Sequence, residues 1–213
     1  MIKKLQRLRQ KEIGFGNMEK TDIVEQIKED ALNKQIPIMS DEGIKYLLDY
    51  IEKYSIRNIL EIGTAVGYSA IKMCLVHPDI TVVTIERDES RYLEALKNIK
   101  SVGLEDRIQL LYHDAFDVSL DEEFDLIFID AAKAQNQKFF EKFEKNLKAN
   151  GTIITDNIYF HGLVKKDIEK IQSRNLRQMV RKIKQYISFL EENPNYRTRF
   201  LKIGDGIAVS KRI

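Results

Sequence analysis

Apolar residues recur along this chain with two alternating periods. Ile23, Val24, Ile27 and Ala31 fall at helical spacing within 21–35, and Ile44, Leu47, Leu48 and Ile51 form a second stripe of the same period. Between them Ile36-Pro37-Ile38-Met39 reads as an extended connector, because proline disfavours helix in the residue before it. Ser40 is placed to cap the second helix, with Asp41 and Glu42 near its positive end. From there short apolar runs near 58–62, 81–86, 108–111, 124–130 and 152–155 alternate with amphipathic stretches near 69–75, 91–102, 137–147 and 176–192. That alternation predicts a buried parallel sheet with helices on both faces, an α/β architecture. The end of the chain differs. Residues 197–203, the turn Gly204-Asp205-Gly206 and residues 207–211 read as an antiparallel hairpin. At the other end, 1–11 reads as a short basic amphipathic helix that Gly14-Phe15-Gly16 breaks.

Nothing in the pattern divides the chain, and 213 residues fit a single domain spanning 1–213. Its first ~35 residues serve as an accessory cap or dimer segment. A 43% apolar content gives it a core, and a net charge of +2 leaves its partners open. The local balance is more telling. Residues 165–184 carry eight Lys or Arg against Asp167 and Glu169, which is either a solvated helix face or a phosphate-binding surface. A single cysteine, Cys74, excludes an internal disulfide. No apolar run approaches the ~20 residues of a membrane span, and the basic N-terminus lacks a signal peptide's apolar segment, so the expectation is a cytoplasmic protein.

Chemistry is concentrated where strands end, since ligands of open α/β sheets bind at the carboxyl ends of the strands. The segment Glu61-Ile62-Gly63-Thr64-Ala65-Val66-Gly67-Tyr68-Ser69 is a glycine-bearing turn between a strand and a helix, and it lets backbone approach a ligand. Its G-x-x-x-G spacing weakens a dinucleotide reading. Glu86 ends the next strand, one βαβ unit later, where a carboxylate can accept both hydroxyls of a ribose. His113-Asp114-Ala115 follows the third strand and can close over an adenine ring, with either Asp114 or the Ala115 backbone reading its edge. Asp130 ends the fourth strand, and Asp156-Asn157 follow the fifth. Together these predict a nucleotide-like cofactor beside a divalent cation.

The segments E-I-G-T-A-V-G-Y-S, T-I-E-R-D, F-D-L-I-F-I-D-A-A-K and T-D-N occur in an order that resembles the cation-dependent O-methyltransferases, which include the catechol and caffeoyl-coenzyme A enzymes. The resemblance runs from about Ile36 to the terminal hairpin. Within the family, I-P-I-M and I-D-A-A-K-A-Q look most like the compact bacterial tRNA 5-hydroxyuridine methyltransferases. The resemblance implies a Rossmann-like methyltransferase fold, a seven-stranded, mostly parallel sheet. It also implies S-adenosylmethionine as cofactor. Met39 would contact it, Glu61 and Gly63 would shape its floor, and Ser69 would hold the methionine carboxylate. Glu86 would take the ribose, and Asp114 with Ala115 the adenine. Asp130 would border the cofactor too and form the catalytic pair with Lys133, the family's lysine that assists deprotonation. A homodimer is the implied assembly.

Asp130, Asp156 and Asn157 offer three hard oxygen ligands, which suits Mg²⁺ or Mn²⁺ and disfavours zinc. His77, His113 and His161 are widely separated, although His161 follows the metal loop closely enough to touch substrate. A cation at such a site selects an acceptor with two neighbouring oxygens, one of them a hydroxyl. Both 5-hydroxyuridine and catechols qualify. The leading expectation is methylation of 5-hydroxyuridine to 5-methoxyuridine at the wobble position of tRNA, with the anticodon region as partner. Lys3, Lys4, Arg7, Arg9, Lys165, Lys166, Lys170, Arg174, Arg177 and Arg181 are candidate phosphate contacts. The alternative is a small-molecule catechol or phenolic O-methyltransferase.

Overall fold

The computed structural model describes residues 20–160, 162–165 and 167–213. The expected helix over 1–11, and with it Lys3, Lys4, Arg7 and Arg9, lies outside the described residues, as do His161 and Lys166. Two helices, α1 (Lys20–Asn33) and α2 (Asp41–Lys53), precede the alternating part. Ser40 caps α2 as expected, its hydroxyl accepting the Gly43 N–H at 3.2 Å. Then follow β1 (Asn58–Ile62), α3 (Tyr68–Leu75), β2 (Thr81–Glu86), α4 (Glu89–Ser101), β3 (Ile108–Tyr112), β4 (Phe124–Ile129), α5 (Asn136–Phe143), β5 (Leu147–Thr155), α6 (Arg174–Glu192), β6 (Tyr196–Leu201) and β7 (Ile207–Arg212).

The strands form one seven-stranded sheet in the order β3-β2-β1-β4-β5-β7-β6. Strands β1 to β5 are parallel; β7 runs antiparallel to β5, and β6 pairs with it in the predicted hairpin. Alternate residues of a strand face opposite ways. Ile59, Val82, Leu126, Phe128 and Ile154 join the core under α1 to α4. Leu60, Ile62, Ile85, Ile127, Ile129 and Ile153 join the core under α5 and α6. The strand order reverses at β1 and β4, and a doubly wound sheet opens a crevice there.

One boundary departs from the sequence pattern. The helix expected over 137–147 ends at Phe143, a turn of 3₁₀ helix covers Glu144–Asn146, and β5 already begins at Leu147. Asn146 and Arg212 stop the helix. The Asn146 amide donates to the carbonyls of Leu120 (2.8 Å) and Glu122 (3.0 Å). The Arg212 guanidinium donates to those of Leu147 (2.7 Å) and Glu144. The Arg212 bonds satisfy carbonyls just past the helix end, and the Asn146 bonds tie that end to the loop before β4.

Candidate active site

The β1–α3 turn is shaped by a backbone crossing. Gly63 has φ +97°, and a Cβ there would lie 2.3 Å from the Asp130 carbonyl oxygen. Gly67 has φ +81° where α3 begins. Gly63 is therefore needed to let the end of β1 touch the end of β4, which brings the first and fourth predicted positions together.

Among the carboxyl groups at this end of the sheet, Glu61, Glu86, Asp130 and Asp156 each have a different set of partners. Glu61 is fully buried, and its two oxygens accept hydroxyl hydrogens from Ser69 and Thr84, both at 2.5 Å. Burial pushes its pKa up to about 8. Glu86 accepts three backbone N–H groups, from Ala65 at one oxygen and from Arg87 and Asp88 at the other, all at 2.9 Å. These donors hold the carboxylate at the strand end before any ligand arrives. Asp130 is raised above the ordinary carboxylate range by desolvation, against which the nearby Lys133 charge works. Asp156 is raised to about 7, by burial first and then by Asp130.

Asp130, Asp156 and Asn157 do converge. The Asn157 amide nitrogen lies 2.9 Å from Asp156 Oδ2 and 3.5 Å from Asp130 Oδ1, and the Asn157 N–H donates to Asp156 Oδ1 at 2.7 Å. Asn157 has φ +60°, a left-handed conformation that asparagine tolerates better than most residues. The amide thus presents its donor end to two acids. A half-turn of the amide would present its oxygen instead and complete a set of three hard oxygens. The donors fit Mg²⁺ or Mn²⁺ on this ground. Among the described residues, no three His, Cys, Asp or Glu are arranged to hold a metal ion by themselves, so the amide would be needed to complete the set.

A cavity of about 530 Å³ joins these groups. Met39, Gly63, Ser69, Glu86, Asp114, Ala115, Asp130, Lys133 and Asn157 all line it, whereas Glu61 and Asp156 lie outside its lining. Asp114 accepts the Phe116 N–H at 2.9 Å and pairs with Arg87 at 3.2 Å. The Phe116 amide, with help from Arg87, holds its carboxyl below the usual range. Pattern reading passed over Thr64, Ile38, Pro37, Arg91 and Phe160, which also line the cavity. It passed over Thr84 as well, whose pairing with Glu61 is visible only from the register between β1 and β2. Among the phosphate candidates, Arg177 is engaged locally, donating to the carbonyls of Ile171 (2.6 Å) and Gln172 (3.1 Å).

Known proteins resemble this chain over nearly its whole length. The sequence profile of the O-methyltransferase family matches residues 16–213. The chain belongs to the O-methyltransferase family. This O-methyltransferase is 29% identical to a caffeoyl-CoA O-methyltransferase of Populus kitakamiensis over 206 residues, 89% of this chain and 87% of that one. A solved structure from Staphylococcus aureus, described as a candidate caffeoyl-CoA O-methyltransferase, superposes with a TM-score of 0.86 at 38% identity, covering 99% of this chain and 98% of that one. The O-methyltransferase of Bacillus cereus, solved in complex with SAH, gives a TM-score of 0.78 at 27% identity, with coverage of 90% and 91%. In the described part of this O-methyltransferase no helix is long and apolar enough to cross a membrane.

Two outcomes follow for the isolated protein. Asp156 has a folded-state pKa above its ordinary one, so from about pH 4 to about pH 7 the folded protein holds a proton that the unfolded chain releases. In chelator, stability should therefore fall as pH rises through that window, and Asp156→Asn should make the fall shallower, leaving the part that Glu61 and Asp130 contribute. Denaturant midpoints at several pH values measure it, and an equally steep fall in the variant would contradict the burial argument. Gly63→Ala should lose on the order of 3 kcal/mol from backbone strain and the clash with Asp130, read from urea unfolding.

Proposed function

We propose that this chain is an S-adenosylmethionine- and divalent-cation-dependent O-methyltransferase acting on 5-hydroxyuridine at the wobble position of tRNA. The observation that carries the chemistry is the meeting of Asp130, Asp156 and Asn157 beside a cavity that also holds Glu86 and Lys133. The SAH bound by the Bacillus cereus relative supports the cofactor. When bound, S-adenosylmethionine would supply an electrophilic methyl group, which the acceptor oxygen takes by in-line attack as the carbon–sulfur bond breaks and its electron pair leaves on the sulfur. Ser69 and the backbone around Gly63 would receive its amino-acid end, Glu86 its ribose, and Asp114 or the Ala115 backbone its adenine. Asp130, Asp156 and Asn157 would hold a divalent cation, whose positive charge eases loss of the acceptor's proton and favours two adjacent acceptor oxygens. Lys133 lines the cavity near enough for its charge to act on Asp130, and it would take or orient the hydroxyl proton.

Support for an RNA acceptor comes from α6. It packs against the 3₁₀ turn that carries Lys133 (Lys133–Gln135), and Arg174, Arg181 and Lys182 are exposed along it, as is Lys170 just before it. Arg181 lies 3.6 Å from Glu169, an exposed pair that a phosphate could replace. A row of exposed cations beside the acceptor end suits a polynucleotide backbone. The second reading, a small phenolic acceptor, is favoured by the caffeoyl-CoA name of the Populus relative.

Mass spectrometry of digested tRNA from a host lacking the gene separates the two. Loss of 5-methoxyuridine with a rise in 5-hydroxyuridine is expected; an unchanged profile, with methylation of free catechol by the purified enzyme, would overturn the RNA reading. Asp156→Ala should abolish divalent-ion-dependent turnover, and full activity of that variant in excess chelator would refute the cation. Lys133→Ala should slow the chemical step by roughly 10²-fold with cofactor affinity nearly unchanged. A parallel loss of cofactor binding, read by calorimetry, would give the lysine a structural role instead.

A further inference from the structure

The free edge of the sheet carries charge that the proposed chemistry does not use. Strand β6 is last in the strand order, so one of its backbone edges has no partner strand among the described residues. Arg197 and Arg199 are two residues apart along it, about 6.6 Å, and both are exposed. Register settles which way they face, since cross-strand partners share a face. Arg199 pairs with Val209, which pairs with Ile154, and both of these belong to the core under α1 to α4. Arg197 pairs with the exposed Lys211 on that same face. Tyr196, by contrast, is buried in the core under α5 and α6. The two arginines and Lys211 therefore stand on the α2 side of the edge, and the cations of α6 on the other.

Helix α2 brings aromatic rings to the same place. Tyr46, Tyr50 and Tyr54 succeed one another at helical spacing, with ring centroids 6.1 and 4.4 Å apart. Burial raises the Tyr46 and Tyr50 phenols and the Arg199 charge works against it, so that guanidinium lies near the row. Tyr54 is 45% exposed, and its ring centroid lies 5.3 Å from the Lys211 ammonium and 5.5 Å from that of Lys53. Among the described residues none of Lys53, Arg197, Arg199 and Lys211 forms an ion pair. The neighbouring acids of α2 are Asp49, which Lys45 already holds at 2.6 Å, and Glu52. Charges on an edge strand discourage pairing between two copies, because like charges would meet. That accounts for Arg197 and Arg199 and leaves Lys53, Lys211 and the exposed ring without a use.

We propose that this edge is a second RNA contact, in which Lys53, Arg197, Arg199 and Lys211 meet phosphates and the Tyr54 ring lies against a sugar or base of the same strand. The inference rests on the RNA acceptor proposed above and extends it to a surface outside the cavity. Arg197 and Lys211 are level with Thr152, three residues or about 10 Å back from Thr155, which precedes Asp156. An RNA strand with one nucleotide in the cavity can run on down this edge. Cations interleaved with aromatic rings suit single-stranded nucleic acid, whose phosphates and flat bases use both. An acidic protein would satisfy the cations and leave the ring unused.

Fluorescence anisotropy of a dye-labelled anticodon stem-loop RNA, titrated with the full chain at several salt concentrations, tests this. Arg197→Ala/Arg199→Ala should weaken binding roughly 30-fold at about 0.1 M salt and lower the slope of log K against log salt by about 0.7 to 0.9 for each arginine removed. Tyr54→Ala should weaken it about fivefold or more with the slope unchanged. S-adenosylhomocysteine affinity, read by calorimetry on the same variants, should stay within about twofold, which separates a lost contact from a lost fold. Lys97→Ala/Lys100→Ala removes two exposed cations from α4, which packs on β2 and β3 at the opposite edge, and should leave RNA affinity within about twofold. Equal weakening by that pair, or none by the arginine pair, overturns the proposal and leaves the RNA acceptor standing. So does an arginine variant that keeps its RNA affinity but loses binding to polyglutamate, which assigns the edge to an acidic protein, or changes its sedimentation, which assigns it to a second copy. No binding of the stem-loop by the unaltered protein at low salt overturns both.

Discussion

The structure turns on the burial of acids at the carboxyl ends of adjacent parallel strands without enough positive charge to match them. Glu61, Glu86 and Asp156 are all nearly inaccessible, and Asp130 stands between Asp156 and the Lys133 turn. Desolvating a carboxylate is costly unless hydrogen bonds or a cation compensate it. Each acid is compensated differently: Glu86 by three amides, Glu61 by two hydroxyls, and Asp130 with Asp156 by the side-chain amide and backbone N–H of Asn157. The amides suffice to keep Glu86 ready for a neutral diol. The hydroxyls and the Asn157 donors leave a deficit of positive charge, and a cationic cofactor and a divalent ion would fill it. The site is thus arranged for its ligands at the expense of the stability of the empty protein.

The fold supplies the acids with fixed positions. Gly63 lets β1 and β4 approach at their ends, and the reversal of strand order there opens the crevice. The hairpin turn before β7 closes the other side: Ile158 and Tyr159 donate their backbone N–H groups to Gly206 (3.0 Å) and Asp205 (2.8 Å). A side chain at Gly204 would reach the Ser40 hydroxyl, and one at Gly206 the ring of Tyr159. The same turn therefore packs against both the segment entering α2, next to Met39, and the loop carrying Asp156 and Asn157. That explains physically why an antiparallel hairpin follows an otherwise parallel sheet: it braces two loops that line one cavity.

Much of this was legible in the sequence because period and strand ends are local properties. The five apolar runs, the Ser40 cap and the terminal hairpin all emerge where the pattern puts them. Asp130, Asp156 and Asn157 could be grouped because adjacent parallel strands end at one edge. The early start of β5 was not legible, since Lys148-Ala149-Asn150-Gly151 reads as a loop and only pairing of Leu147 with Phe124 makes it strand. Thr84 was hidden for a related reason. Its role depends on sitting opposite Glu61 in the sheet, and register is a property of two segments together. Arg177 counted as a phosphate contact in the charge pattern, yet its guanidinium reaches two nearby carbonyls. Composition cannot distinguish an arginine that caps a turn from one that meets a ligand.

The account's central claim is that the deficit of charge around Asp130 and Asp156 is a cation site. Anomalous diffraction from crystals grown with Mn²⁺ tests it most directly. The account predicts a peak bounded by side-chain oxygens of Asp130 and Asp156, with the Asn157 amide turned to present its oxygen. No peak there at saturating Mn²⁺, with the Asn157 nitrogen still directed at both acids, would contradict it.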